Sequence, residues 1–180
     1  MTVNREATCE LDFQSMQPSL VYNVKAGMQM PWDDAYEIDA PIPDPKARRS
    51  IMKMVSLIAL NVMSRRAALR ALRNYLSENE IVLDPGVTPA TLLTAFERHH
   101  KAIAPFLYQG LGVWMQCVDS EIAEQVLLRL ARAGIPCLCV HDSFVVPASH
   151  QEFLKKVMEE EYKNRTGFTC RVRVESGRGK

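Results

Sequence analysis

The chain has 180 residues, 47% of them hydrophobic and 24% charged, values typical of one globular domain with a full core. Its formal net charge of +1 excludes a protein-wide basic field for nucleic acid, so any such surface must be local. No apolar run approaches membrane-spanning length and residues 1–20 lack a signal-peptide core, so we expect a soluble cytoplasmic protein without membrane contacts. The five cysteines include no CxxC pair and predict buried, reduced thiols, not a zinc site or a disulfide framework.

The first predicted strand covers residues 7–12, where apolar and polar residues alternate up to Asp12. Pro18 lacks an N–H and suits the first turn of a helix, which we expect to run to about Val24. Because a strand end is a rigid element, the Asp12 carboxylate is a candidate metal ligand. A helix-capping or surface aspartate would give the same pattern. The next segment, 27–45, has no period and predicts a long connection, a kind of loop that is often functional.

The longest helical signal extends from Pro45 to about Leu76. Its core stripe repeats at helical spacing and consists of Ile51, Val55, Ile58 and Val62. Away from this stripe, one face carries Arg49 and Lys53, four residues apart, with Asn61 two turns further on. A second basic row consists of Arg66, Arg70 and Arg73. Such rows are usually solvated helix faces, and the functional alternative is a surface that binds a polyphosphate or a nucleic-acid backbone.

Two more helices are predicted in the middle of the chain. Thr88 can cap the first, which we expect to end near His100. Adjacent residues of a helix point about 100° apart, so His99 and His100 are expected to be surface residues that do not share a metal. The second helix is expected to begin with Asp119 or Ser120 as its cap.

Two short apolar runs with strand composition, 137–140 and 143–146, flank His141 and Asp142. With so little between them, the runs predict a tight hairpin that has these two residues at its tip. A rigid turn is a good support for a metal ligand, so Asp142 is a second candidate. On this stretch alone, a simple polar turn is slightly favoured.

After the hairpin, residues 149–152 form a capping box that opens a further helix, and residues 168–174 alternate as a final strand. The tail, 176–180, is expected to be disordered. The strands are few and come from far apart in sequence, which fits one small antiparallel sheet backed by helices, an α+β fold. We expect a single domain over 1–180 with a helical insertion at about 27–112.

Asp12 and Asp142, two carboxylates at strand ends, are placed to converge on one edge of such a sheet, and the basic pair Arg49 and Lys53 lies between them in the chain. Two acids and nearby cations are what metal-assisted phosphoryl transfer requires, because the acids hold the metal and the cations neutralise phosphates. Oxygen ligands without a Cys/His set favour Mg²⁺ or Mn²⁺ over zinc.

The hairpin sequence Val140-His141-Asp142-Ser143-Phe144 resembles motif C of family A DNA polymerases and phage-type single-subunit RNA polymerases. The DNA enzymes usually have Glu after that Asp, so Ser143 is closer to the RNA polymerases.

Arg49, Lys53 and Asn61 stand at the spacing of motif B, the fingers helix whose Arg and Lys contact the incoming triphosphate. The family places Tyr or Phe near the position of Asn61, and this chain departs from it there. The segment at 115–120 resembles the Met-Gln segment upstream of motif C. The segment at 12–19 resembles motif A, in wording closer to family B polymerases.

The resemblance implies a palm sheet with a fingers-like insertion and a two-metal nucleotidyltransferase that extends a primer 3′-OH. Asp12 and Asp142 would hold Mg²⁺ or Mn²⁺. Lys53 would act with Arg49 on the phosphates, and His141 would orient the hairpin or touch the primer. Gln17 would be the gate that contacts the sugar. Asn61 would contact the nucleotide, and Gln116 would contact primer or template. The basic row Arg66, Arg70 and Arg73 is a candidate nucleic-acid surface.

The expected partners are nucleoside triphosphates and a DNA primer–template, or RNA, in a bacterial or phage-infected cell. Few residues precede Asp12, whereas the thumb normally precedes motif A. We therefore expect a fragment, a partner-assisted enzyme, or a compact polymerase of a phage or plasmid. The alternatives are a degenerate palm that binds nucleic acid or protein without catalysis, a phage-type RNA polymerase or primase, and, more weakly, a metal-dependent nuclease.

Overall fold

A computed structural model of the chain describes residues 2–3, 6–140 and 143–175. The strands are β1 (Thr2–Val3), β2 (Glu6–Phe13), β3 (Leu138–Val140), β4 (Ser143–Pro147) and β5 (Val172–Glu175). The α-helices are α1 (Met16–Leu20), α2 (Pro45–Asn61), α3 (Arg65–Glu78), α4 (Pro89–His99), α5 (Gly112–Arg132) and α6 (Gln151–Thr166). A π-helical segment, Val21–Lys25, continues α1, and short 3₁₀ turns cover Lys101–Phe106 and Ala148–His150. The expected tail at 176–180 lies outside the described residues.

The sheet is antiparallel and has β2 at its centre. Its strand order is β1-β2-β4-β3, and β5 also pairs with β2. Side chains alternate between the two faces of each strand, so Leu11 and Phe13 point to the inner face and Asp12 to the opposite face. The α+β class and the strand that brings Asp12 to the sheet are confirmed.

Helix α6 covers the inner face of the sheet through aromatic contacts. The Phe13 ring lies 5.8 Å from the Tyr162 ring and meets Phe144 edge-on at 6.4 Å. All three rings are buried, and burial of this apolar area is the main force that holds the helix on the sheet. The Tyr162 hydroxyl accepts a hydrogen bond from Asn23 Nδ2 at 2.8 Å, so the polar end of the ring is also satisfied.

The helix predicted to run continuously from 45 to 76 is wrong, because the structure has two helices there, α2 and α3. Val62 is extended after α2, and Ser64 caps α3 by accepting a hydrogen bond from the Ala67 N–H at 3.1 Å. The last carbonyls of α2 are bound by a distant segment: Tyr108 N–H donates to Ala59 and Leu111 N–H to Leu60, both at 2.8 Å. A tertiary contact therefore ends α2, and the basic row falls on the second helix.

One predicted helix start and one predicted helix cap are also wrong. Helix α5 begins at Gly112, so the predicted caps Asp119 and Ser120 lie inside it, and the Ser120 hydroxyl bonds the Gln116 carbonyl within the helix. At the start of α6 the expected capping box is absent among the described side chains, since Ser149 donates instead to the Glu6 carboxylate at 2.7 and 3.1 Å.

Two expectations about the burial of side chains are also wrong. His100 is fully buried, although both adjacent histidines were expected on the surface. Of the five cysteines, Cys117 and Cys139 are exposed, Cys9 and Cys137 are partly buried, and Cys170 is buried. The expectation of five buried cysteines is therefore wrong. Burial raises the pKa of the Cys170 thiol to about 12, which keeps it protonated. None of the described helices combines the length and apolar character needed to cross a bilayer.

Candidate functional site

A cleft of about 280 Å³ opens where the end of β2 meets α1, α2, α3 and β5. Its lining includes Asp12 from the sheet, Gln17 from α1, and Arg49 and Lys53 from α2. These four predicted site residues come from two separate segments of the sequence, and the fold brings them to one cavity. We call this cavity the Asp12 cleft.

Asp12 is held by strands on both sides. Its backbone pairs with Ser143 of β4 and with Arg173 of β5 in antiparallel register. Its side chain projects from the outer face of the sheet and is 21% exposed. Residues that pair directly across an antiparallel ladder share a face, and the Arg173 guanidinium Nη2 accordingly lies 4.0 Å from Asp12 Oδ2. The cleft therefore places a carboxylate on a rigid backbone with a cation beside it.

The cationic wall of the cleft is made by one face of α2. Arg49 Nε donates to Asp34 Oδ2 at 2.6 Å, and its guanidinium lies 5.6 Å from the centre of the Tyr36 ring. A charge-assisted hydrogen bond and a ring contact together fix the planar guanidinium in one orientation. Lys53, one turn further along the helix, is exposed and keeps the freedom of its long side chain.

The connection that carries Asp34 is tied down at the next residue, Ala35. The Ala35 N–H donates to the hydroxyl of Ser15 at 3.2 Å, and the Ala35 carbonyl lies 2.9 Å from His100 Nε2. A carbonyl only accepts, so Nε2 carries the proton and Nδ1 accepts from the Tyr22 hydroxyl at 3.2 Å. Through these bonds the buried core sets the position of the acid that orients Arg49.

Burial keeps the His100 ring neutral. It lowers the pKa of His100 to about 4, against a smaller opposing effect of the hydrogen bond to Ala35 and a small lowering by His99. The neighbouring His99 ring stacks on Trp32 at 4.1 Å, and burial lowers its pKa as well. The two histidines are thus packing residues of the connection.

The turn between β2 and α1 aims Gln17. Ser15 takes a left-handed conformation with φ of 53°, and the Gln14 N–H donates to the Arg171 carbonyl at 2.8 Å. Gln17 then falls in the first turn of α1, where it lines both the Asp12 cleft and a second groove of about 880 Å³. That groove contains Gln116 from α5, so the two predicted glutamines lie in adjoining spaces.

Asn61 is turned away from the cleft. Its Nδ2 donates to the Leu57 carbonyl at 2.7 Å, and its Oδ1 would lie 1.9 Å from a Cβ at Gly112. A side chain at position 112 would therefore have to displace this amide, and glycine leaves the space free for it. In the part of the chain that the structure describes, neither Asn61 nor the basic row lines the cleft or the groove; that row consists of the exposed residues Arg66, Arg70 and Arg73.

His141 and Asp142 lie outside the described residues. The strands that flank them pair as predicted, with Val140 opposite Ser143. Ser143 in turn pairs with Asp12. The predicted hairpin strands are confirmed, and the position of the second acid remains a prediction.

The donor set suits a hard divalent cation with few protein ligands. Within 2–3, 6–140 and 143–175, no group of three or more His, Cys, Asp or Glu side chains is arranged to hold a metal ion. Mg²⁺ is commonly bound by one or two carboxylates, with substrate phosphates and water completing its octahedral shell. The Asp12 carboxylate beside the cationic wall of the cleft fits that mode, whereas zinc, which prefers Cys and His, does not fit.

Three residues that line the cleft were not predicted from sequence: Tyr36, Tyr75 and Arg173. Asp34, which orients Arg49 without lining the cleft, was not predicted either. In the sequence, Tyr36 is one aromatic residue of the long connection, and Arg173 is one polar position of the alternating last strand. Their contacts depend on which strand and helix meet which, and no local pattern carries that information.

A scan against protein-family models and a search of curated proteins find no match for this chain. Its chemistry must follow from the groups themselves. Among the described lining residues, one carboxylate, three cationic side chains and two tyrosine rings surround the cleft. This combination suits an anionic ligand that carries both phosphates and a ring.

Proposed function

We propose that this chain is a template-directed nucleotidyltransferase with a palm-like sheet, which joins nucleoside triphosphates to a primer 3′-OH. The observation that carries the proposal is the shared cleft of Asp12, Gln17, Arg49 and Lys53. Two of the segments that resemble polymerase motifs supply these residues. A solvated helix face or a chance motif match would not require these four residues to line one cavity.

Asp12 would hold the divalent cation together with Asp142, which is the residue before Ser143, the backbone partner of Asp12. Because Ser143 pairs directly with Asp12, the end of β4 that follows Asp142 in the chain lies beside the Asp12 end of β2, which supports a site shared by both acids. When bound, Mg²⁺ lowers the pKa of the attacking hydroxyl and stabilises charge on the leaving pyrophosphate. In the reaction the 3′-hydroxyl would lose its proton to solvent water and its oxygen would bond the α-phosphorus. The bond from that phosphorus to the bridging oxygen would break, and pyrophosphate would leave.

Arg49 and Lys53 would bind the phosphates with different roles. Arg49 is oriented by Asp34 before any ligand arrives, so little reorganisation is needed when it meets a phosphate oxygen. Lys53 supplies a mobile point charge one turn away. Positioning and charge neutralisation are the main contributions that a protein makes to phosphoryl transfer.

The nucleoside would lie against Gln17 and Tyr75, which both line the cleft. A glutamine amide at the sugar is short and flexible, so we expect weak discrimination between ribose and deoxyribose. The Tyr75 ring offers a face for the base, since every base has a π-face. The groove that contains Gln116 adjoins Gln17 and would take the primer terminus.

Partners outside this cleft complete the proposal. The exposed row Arg66, Arg70 and Arg73 on α3 would contact a nucleic-acid backbone. A further segment or a partner subunit would serve as the thumb that holds the duplex.

Primer extension on a primed template tests the proposal, with Mg²⁺ or Mn²⁺ and with deoxyribo- and ribonucleotides offered separately. The chain should incorporate nucleotides, and Asp12→Asn and Asp142→Ala should lower incorporation by at least about 100-fold. Glu10→Gln is the matched control, because Glu10 lies on the same strand and face as Asp12 but does not line the cleft.

Template binding without incorporation by the unmodified chain would refute the polymerase proposal and favour a non-catalytic binding module. Equal loss in the Glu10 control would show that the Asp12 effect comes from damage to the sheet. Strong rejection of ribonucleotides would contradict the role given to Gln17.

A further inference from the structure

Arg173 is the cleft residue for which sequence and resemblance offer no role. It pairs with Asp12 across β5 and β2, and its guanidinium lies 4.0 Å from the Asp12 carboxylate. That distance is at the long limit of an ion pair, and 49% of the Arg173 side chain is exposed. The contact therefore compensates charge at a distance longer than that of a direct hydrogen bond, so a ligand that binds the carboxylate directly can compete with it.

Arg173 also has a second space available. It lines the Asp12 cleft on one side and, on the other, a groove of about 950 Å³ that also contains Gln14 and Arg171. The long aliphatic stem of an arginine can move its head between such positions while the strand stays fixed. Arg171 has a partner of its own, since it forms an ion pair with Asp33.

We propose that Arg173 is a displaceable counter-ion of Asp12, which holds the carboxylate until a divalent cation and a nucleoside triphosphate arrive together. This inference rests on the proposed function of the cleft. Arg173 and a divalent cation compete for the same carboxylate oxygen, and the two positive charges repel each other at this distance. The cation alone therefore binds weakly.

The triphosphate reverses this balance. Its oxygens give the displaced guanidinium a new anionic partner beside Arg49 and Lys53, in the planar geometry that arginine prefers. Metal and nucleotide thus bind cooperatively, and the coupling is reciprocal because each favours the state in which Arg173 has left Asp12. The device would keep the site from loading metal without substrate.

The experiment measures two affinities of the full chain without nucleic acid: Mn²⁺ alone, by the loss of its free electron-paramagnetic-resonance signal, and a fluorescent nucleoside triphosphate at fixed Mg²⁺. In Arg173→Gln, Mn²⁺ alone should bind about tenfold tighter because the competing charge is gone. The triphosphate should bind about tenfold weaker because a phosphate ligand is lost. Arg173→Lys should keep the weak Mn²⁺ binding of the unmodified chain.

Arg171→Gln is the matched control, because Arg171 lies nearby in the chain but does not line the Asp12 cleft, and it should change neither affinity. Opposite shifts in Arg173→Gln support the inference even if primer extension fails, in which case only the proposed function falls. Unchanged Mn²⁺ affinity, a parallel loss of both affinities, or no Mn²⁺ binding in any variant would overturn the inference, whatever primer extension gives.

Discussion

His100 is fully buried and uses both ring nitrogens, one toward the Ala35 carbonyl and one toward the Tyr22 hydroxyl. Protonation would place a donor on Nδ1 and a charge among apolar rings. Burial accordingly lowers the pKa of this histidine from 6.5 to about 4. The unfolded chain takes up the proton below about pH 6.5, whereas the native chain resists it until about pH 4. Acidification in this window therefore favours the unfolded state.

The size of the effect follows from linkage. Each pH unit between the two pKa values removes about 1.4 kcal/mol from the free energy of unfolding, so His100 alone should remove about 3 kcal/mol between pH 6.5 and pH 4. About 2 kcal/mol of this is lost by pH 5, before most carboxylates titrate. Above pH 6.5 its contribution is constant. The burial of His99 acts in the same direction.

Urea unfolding at a series of pH values from about 8 to about 5 measures this slope. His100→Gln keeps an amide N–H that can reach Ala35 but cannot titrate. It should cost about 1–3 kcal/mol at neutral pH through the lost bond to Tyr22, and its stability should fall less steeply on acidification. His150→Gln controls for the loss of one histidine elsewhere in the chain. Parallel pH profiles for the unmodified chain and His100→Gln would refute the reasoning.

Two further predictions follow from side-chain contacts, one beside the cleft and one away from it. Asp34→Asn should weaken triphosphate binding about tenfold, because Arg49 keeps its charge but loses the bond that orients it. Asp33→Asn is the control and should not weaken binding. Equal affinities of the two variants in fluorescent-nucleotide titrations would contradict the orienting role of Asp34. Gly112→Ala should lower the free energy of unfolding by about 1–3 kcal/mol through overpacking against Asn61. Adding Asn61→Ala should recover most of that loss in urea unfolding, and a double variant no more stable than Gly112→Ala would disprove the clash.

Helix ends signalled within a few residues could be predicted from the sequence. Asp44 caps α2 before Pro45 by accepting from the Ala47 N–H at 2.7 Å, and Thr88 and Thr91 form a reciprocal cap at α4. The pattern of alternation also identified β2, because a strand with one buried face must alternate. These features depend on residues that are neighbours in the chain.

The helix end and the helix cap that were wrongly predicted depend on residues distant in the chain. The end of α2 depends on backbone donors such as Tyr108, and the start of α6 depends on Glu6. A local capping group competes with every other hydrogen-bond partner that the fold brings near, and in both places the hydrogen bond to the distant residue forms. The burial of His100 likewise required the connection that packs over α4.

For the site, the sequence by itself determined that Arg49 and Lys53 share a helix face and that Asp12 stands near the end of a strand. These statements follow from the 3.6-residue and two-residue periods of the backbone. Tertiary structure alone decided that the two meet in one cleft, and that Arg173 lies beside Asp12. The reason is physical: strand register is chosen by the packing of the inner face, where Leu11 and its neighbours are buried, and every residue of the outer face then follows.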